Sequence, residues 1–261
     1  MSDAKHDAIR AYYRTLFSAW GRQHWWPAQS RFEMIVGAYL TQNSSWTNVE
    51  KALGNLRKAR LLTIRGIRRT PLPELERLIR PTGYFRQKAQ RLKTFVSFLD
   101  ASHGGSLARM FTRPTAELRD ELLALNGIGP ETADSILLYA GNHPVFVVDT
   151  YTKRILERHQ IAASAVGYEE IRQMFEQALF KQVVSGTPPP KQSLDEASGA
   201  MAGLPGPSHR PSRMSTVERG DLVQVFNEMH GLIVGVGKTY CLKSQPRCDQ
   251  CPLQKFLPQA K

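Results

Sequence analysis

The chain has 261 residues, enough to bury one large core or two modest ones. Its 35 Lys and Arg against 23 Asp and Glu give a formal charge of +12. That balance favours a polyanionic partner, nucleic acid before anionic membrane, with non-specific basicity as the alternative. No apolar run reaches the roughly 18 residues of a membrane span, and the polar N-terminus lacks a signal-peptide pattern. Three cysteines, Cys241, Cys248 and Cys251, stand close together. An odd, clustered set points to metal binding and away from a disulfide framework. The expectation is a monomeric intracellular protein with no membrane partner, cytoplasmic and nucleoid-associated if prokaryotic.

In chain order, Ile9, Tyr12, Tyr13, Leu16 and Trp20 make a helical stripe. Trp25-Trp26-Pro27 follows in a segment too short and proline-marked for regular structure. Either one tryptophan is held at a cleft or both plug a core between domains. Phe32, Ile35, Val36, Tyr39 and Leu40 predict an amphipathic helix. It ends in Thr41-Gln42-Asn43-Ser44-Ser45, a polar cluster able to cap a second helix carrying Val49, Ala52, Leu53 and Leu56. Gln42 and Asn43 are plain loop residues or base-reading, gap-filling amides; Trp46 sets an aromatic on the same loop. Thr70-Pro71-Leu72-Pro73 opens a short helix with Leu75, Leu78 and Ile79, and Ala89, Leu92, Val96 and Leu99 mark the next. Arg86, Lys88, Arg91 and Lys93 crowd the first turns of that helix and oppose its dipole. They read as a solvated face or as an anion grip.

The most informative stretch runs from Leu118 to Arg154. Leu118, Leu122 and Leu125 suit one helix face, and Ala133, Ile136, Leu137 and Ala140 suit another. Between them Leu125-Asn126-Gly127-Ile128-Gly129 forms a hairpin, with Gly127 and Gly129 expected to supply positive φ and a missing Cβ. Pro130 fits the first turn of the second helix, whose N-terminal N–H groups would suit a phosphate. The apolar extended run Pro144–Val148 then ends at Asp149, eighteen residues after Glu131. Asp149 also reads as the N-cap of a helix over Thr150–Glu157. Tyr168, Ile171, Phe175, Ala178 and Leu179 predict one more helix. Residues 185–214 are rich in Gly, Pro, Ser and Ala and are expected to be a disordered insertion. Leu222, Val225, Phe226 and Met229 resume a helix before the cysteine segment. The fold class is all-α.

Together these residues resemble the helix-hairpin-helix DNA glycosylase superfamily, close to endonuclease III. The likeness is carried by Leu125 to Ala133, by Val148-Asp149-Thr150, and by the spacing Cys241-x6-Cys248-x2-Cys251. It implies a six-helix barrel at residues 30–142 and a second helical domain formed by 1–29 with 143–261. Double-stranded DNA containing damaged bases would then be the partner. Gly127, Gly129 and Thr132 would lie on its backbone, Gln42 and Asn43 on the bases, and Asp149 would be the catalytic carboxylate. Trp25-Trp26-Pro27, Leu40 to Asn43 and Trp46 resemble the 3-methyladenine glycosylase III branch, which implies a base pocket of Trp25, Trp26 and Trp46.

Two positions depart from the pattern. Glu131 stands where bifunctional members of the family carry the lysine that attacks C1′ and cleaves the strand through a Schiff base. A carboxylate cannot form that base, so a monofunctional glycosylase acting on an alkylated purine is expected. A bifunctional glycosylase/lyase or a non-catalytic DNA-binding protein are the alternatives. Leu257 stands where the fourth cysteine of the family's iron–sulfur loop is expected, and a [4Fe–4S] cluster normally takes four thiolates. A three-iron cluster, a substitute ligand such as Asp249, or no metal all remain open.

Overall fold

The computed structural model describes residues 3–184 and 210–258. As expected for an all-α chain, no strand occurs among the described residues. The chain divides into two compact units, Met1–Pro27 with Pro144–Lys261, and Ala28–His143.

The central unit opens with α2 (Arg31–Thr41), which follows α1 (Asp3–Trp20) of the other unit in the chain. Its further helices are α3 (Trp46–Lys58), α4 (Ile64–Arg69), α5 (Leu72–Ile79), α6 (Phe85–His103), α7 (Leu107–Met110), α8 (Thr115–Leu123) and α9 (Pro130–Ser135). A π-turn over Ile136–Gly141 continues α9. The short α4 and α7 have no counterpart in the apolar periodicity, because each buries a single side chain, Ile67 and Met110. The amphipathic reading of α2 is corrected: every residue from Phe32 to Leu40 is buried. Helices α3, α6 and α9 and the π-turn all pack against α2, leaving it no solvent face. Its one buried acid, Glu33, is paired with Arg57 of α3.

The terminal unit repeats the scheme around α12 (Asp221–Thr239), with α1, α10 (Thr150–Arg158) and α11 (Tyr168–Val184) against it. Residues Val225 to Gly237 are all buried. An added Cβ on Gly237 would lie 2.3 Å from the Tyr151 ring, which is why glycine stands where α10 meets α12. The extended run Val145–Val148 is buried without a sheet partner. Side chains satisfy part of its backbone instead: Phe146 N donates to Glu176 Oε1 (2.9 Å) and Val148 N to the Tyr168 hydroxyl (3.3 Å).

Of the expected insertion, residues 185–209 lie outside the described residues. The remainder departs from the expectation. Ser212 and Met214 are buried, in a turn where Ser212 N donates to Ser215 Oγ and Ser215 N to Ser212 Oγ. Reciprocal serine hydrogen bonds and one buried methionine hold it. No described helix is long and apolar enough to cross a membrane.

Candidate functional site

The hairpin between α8 and α9 is built on one buried ion pair. Arg119 of α8 donates through Nε (2.6 Å) and Nη2 (3.1 Å) to the two oxygens of Asp134 on α9, whose side chain is fully buried. The chain reverses at Gly127, φ +82, where an added Cβ would lie 2.0 Å from Arg91 Nε. Gly129 departs from the expectation. Its φ of −96 and ψ of 176 are extended backbone open to any residue, and an added Cβ would meet nothing within 4 Å. Gly127 alone supplies the inversion. Leu125 lies beyond the end of α8, in the turn, and is only half-buried. The amides of Gly127 and Gly129 donate to no group among the described residues.

Gln42 reaches this hairpin. Its Nε2 donates to the Gly127 carbonyl (2.9 Å) and to Thr132 Oγ1 (2.9 Å), while Arg91 Nη1 donates to its Oε1 (2.9 Å). The structure thus gathers Gln42, Gly127 and Thr132 into one hydrogen-bonded cluster. Asn43, next in sequence, is exposed at φ +50, and Trp46 is half-buried at the start of α3. Glu131 is exposed in the first turn of α9, where a negative charge suits the helix dipole.

The basic cluster on α6 does not act as a single face. Lys88 is buried and donates to the carbonyls of Leu40 and Thr82, both at 2.9 Å, so it joins the C-terminus of α2 to the loop before α6. Burial, with Arg91 nearby, lowers its pKa to about 8. Lys93 donates to the carbonyls of Arg68 and Thr70. Backbone oxygens therefore take two of the four charges. Arg86 and Arg91 line an open groove of about 620 Å³ with Gln87, Gln90, Thr94 and Asn126. At the start of α6, Tyr84 is 66% exposed in a left-handed conformation, φ +46. Sequence periodicity gave no sign of it, since an exposed aromatic follows no apolar pattern.

Asp149 belongs to the terminal unit and is the N-cap of α10. Its Oδ1 accepts from Thr152 N (2.7 Å) and Thr152 Oγ1 (2.8 Å), and the Thr152 hydroxyl accepts from Asp149 N (3.4 Å), closing a capping box. Its Oδ2 stands 3.6 Å from Nε2 of His230 on α12. Burial alone would raise this carboxyl. His230 and the two Thr152 hydrogen bonds outweigh it and hold the pKa below the ordinary value. His230 had no sequence signal, because it sits inside the apolar run of a buried helix.

Trp25 and Trp26 are both buried, with ring centroids 5.3 Å apart. Trp25 packs on α12 at Gly231, where an added Cβ would come within 3.0 Å of Trp25 Cβ, and Lys238 Nζ lies 5.5 Å from its ring centroid. Helix α12 therefore places its contacts to Asp149 and to Trp25 on consecutive residues.

The three cysteines line one small cavity of about 10 Å³ together with Leu257, Tyr240 and Arg158. Arg158 Nη1 donates to Cys241 Sγ (3.2 Å), and burial pushes the Cys251 thiol up to about 11. Asp249 is exposed and does not line the cavity. No group of three His, Cys, Asp or Glu arranged to hold a metal occurs among the described residues. With Leu257 in the fourth corner, these residues do not fit a four-thiolate cluster.

The sequence model of HhH-GPD superfamily base excision DNA repair proteins matches residues 36–180. A protein of Methanocaldococcus jannaschii, named provisionally as a DNA repair glycosylase, is 36% identical over 257 residues, 98% of each chain. The structure of the Helicobacter pylori 3-methyladenine DNA glycosylase bound to 1,N6-ethenoadenine aligns with a TM-score of 0.68 at 26% identity. That alignment covers 90% of this chain and 97% of the other. Endonuclease III trapped as a covalent DNA intermediate aligns with a TM-score of 0.69 at 20% identity, covering 97% and 96%, a likeness of fold.

Proposed function

Because the chain belongs to the helix-hairpin-helix superfamily of base excision DNA repair glycosylases, we propose that it hydrolyses the glycosidic bond of a damaged base in duplex DNA and leaves the strand intact. The observation that carries the second half is Glu131. It occupies the first turn of α9, where the family resemblance puts the lyase amine, and a carboxylate there cannot form a Schiff base with C1′. Asp149 is the group left to act at C1′. Its Oδ1 is committed to the helix cap, so Oδ2 is the oxygen that stabilises the oxocarbenium charge and orients water.

DNA binding rests on the outward amides of Gly127 and Gly129, on the excess positive charge, and on the groove beside Arg86 and Arg91. Exposed Tyr84 offers a stacking face to an unpaired base. The glycosidic carbon is inaccessible inside the stack, so the damaged nucleotide must be extruded before reaction. Gln42, whose reach to the extruded nucleotide's place the resemblance implies, would have to leave its three hairpin bonds to fill it.

An N-alkylated purine is the substrate class that the tryptophans favour. Its delocalised positive charge is attracted to an aromatic face by roughly 0.5–2 kcal/mol per desolvated contact. It is also a good leaving group, so a site without a strong general acid suffices. Lys238 covers one face of Trp25, leaving its other face, Trp26 and Trp46 to the base. The cysteine segment, with Arg154 Nε donating to the Cys241 carbonyl and Arg158 to its sulfur, acts in this reading as a structural clasp without a four-iron cluster.

Asp149→Asn tests the chemistry cleanly, because asparagine caps a helix as well as aspartate does. The variant should bind damaged duplex normally and lose about 10²–10³ in excision rate. Excision at the wild-type rate by that variant removes the mechanism.

A further inference from the structure

The carboxylate proposed to act at C1′ is buried, and one of its oxygens is already fully used. Oδ1 takes both Thr152 hydrogen bonds. Oδ2 has His230 Nε2 at 3.6 Å, beyond direct hydrogen-bond reach and within ion-pair distance. His230 is itself buried, and Phe146 stands edge-on to its ring at 6.3 Å between centroids. A buried imidazole aimed at the one uncommitted oxygen of a buried carboxylate is more than a packing residue requires.

We infer that His230 is a positioning residue that receives, through Asp149 Oδ2, the proton lost by the attacking water. The inference rests on the hydrolytic reading above. In the step, the water oxygen bonds to C1′ as the C1′–N bond breaks. The bond pair leaves with the base, so a cationic alkylpurine departs neutral. Water's surplus proton passes to Oδ2 and then to neutral His230 Nε2, so Asp149 ends the turnover ionised. An imidazolium could not accept that proton, and its charge would offset the carboxylate charge that stabilises C1′.

The neighbouring charged groups are otherwise engaged. Glu228 on α12 accepts from Gln23 N and Gln224 Nε2. Glu176 on α11 accepts from Phe146 N and pairs with Arg172. Arg154 on α10 donates to the Cys241 and Gly237 carbonyls. The Tyr151 hydroxyl on α10 is raised by burial and by Asp149, and that of Tyr13 on α1 by burial and by Glu228. None of these is available to take a proton from Oδ2 near neutral pH.

The test is single-turnover release of methylpurines from dimethyl-sulfate-treated duplex DNA between about pH 5 and 8, the range in which a histidine titrates. Wild type, His230→Gln and Asp149→Asn are compared, with DNA affinity and thermal melting measured on each. Glutamine keeps a donor at similar reach and cannot take up a proton. Wild type should slow towards acid. His230→Gln should lose roughly tenfold to a hundredfold in rate at pH 7.5, less than the loss expected of Asp149→Asn, with unchanged DNA affinity and a flattened acid limb. A His230→Gln variant that keeps the wild-type pH profile overturns the inference, whether its rate is normal or falls uniformly with its melting temperature. If Asp149→Asn excises normally, or wild type releases no base, the hydrolytic reading fails instead.

Discussion

Substituting alanine at the two hairpin glycines separates positions that look alike in sequence. Gly127 has φ +82, and an L-residue there costs about 1–2 kcal/mol in backbone strain. The added methyl would also sit 2.0 Å from Arg91 Nε. Arg91 can swing away, at the loss of its hydrogen bond to Gln42 Oε1, worth about 0.5–1.5 kcal/mol. Gly127→Ala should therefore destabilise the protein by about 2–3 kcal/mol, roughly 4–12 °C in melting temperature for a chain of this size. Gly129 has an extended backbone and open space at Cβ, so Gly129→Ala should change stability by less than about 0.5 kcal/mol. Urea titration followed by circular dichroism, with thermal melts alongside, measures both. Equal destabilisation by the two variants, or none at Gly127, would refute this account of the hairpin.

Further outcomes follow from the buried charges and the cysteine loop. Asp134→Asn breaks the buried pair with Arg119 and should cost about 3–5 kcal/mol in urea titrations; a loss under about 1 kcal/mol would show that the pair does not hold the hairpin. The folded pKa of Lys88, about 8, lies below its unfolded value. Between those values the unfolded chain binds the extra proton, so this residue's contribution to stability rises with pH from about 8 to 10.5, by up to roughly 3 kcal/mol. Stability measured against pH should therefore climb more steeply in wild type than in Lys88→Met across that window, and parallel curves would contradict the buried assignment. Protein purified without oxygen should carry far fewer than about four irons per chain; iron analysis giving a full complement would contradict the clasp reading.

Much of this architecture was legible in the sequence, because its signals are local. The hairpin glycines lie between two apolar periodicities, and Asp149 sits where the extended run turns into a helix it caps. Both are short-range patterns, and the cap is seen at that position. The misses share a different cause. Lys88 looked solvated or anion-binding because its partners, the carbonyls of Leu40 and Thr82, come from tertiary packing. His230 was invisible for the same reason: its relation to Asp149 spans α12 and the start of α10. Helix α2 looked amphipathic because Glu33 and Arg31 break its apolar pattern, yet Arg57 of α3 satisfies the buried glutamate. Gly129 was credited with a positive φ that its neighbour Gly127 alone adopts. Composition could show that charges and glycines were present, but which of them packing would enclose depended on elements distant in sequence.

The central claim, base removal without strand cleavage, is tested most directly on duplex DNA carrying single defined lesions, among them methylated purines and 1,N6-ethenoadenine. The freed base is identified, and strand breaks are counted before and after alkali, with a parallel borohydride trap on abasic DNA. The account predicts a released purine, strands broken only after alkali, and no trapped wild-type complex. Strand breaks before alkali, with efficient trapping of the wild-type chain, would contradict it.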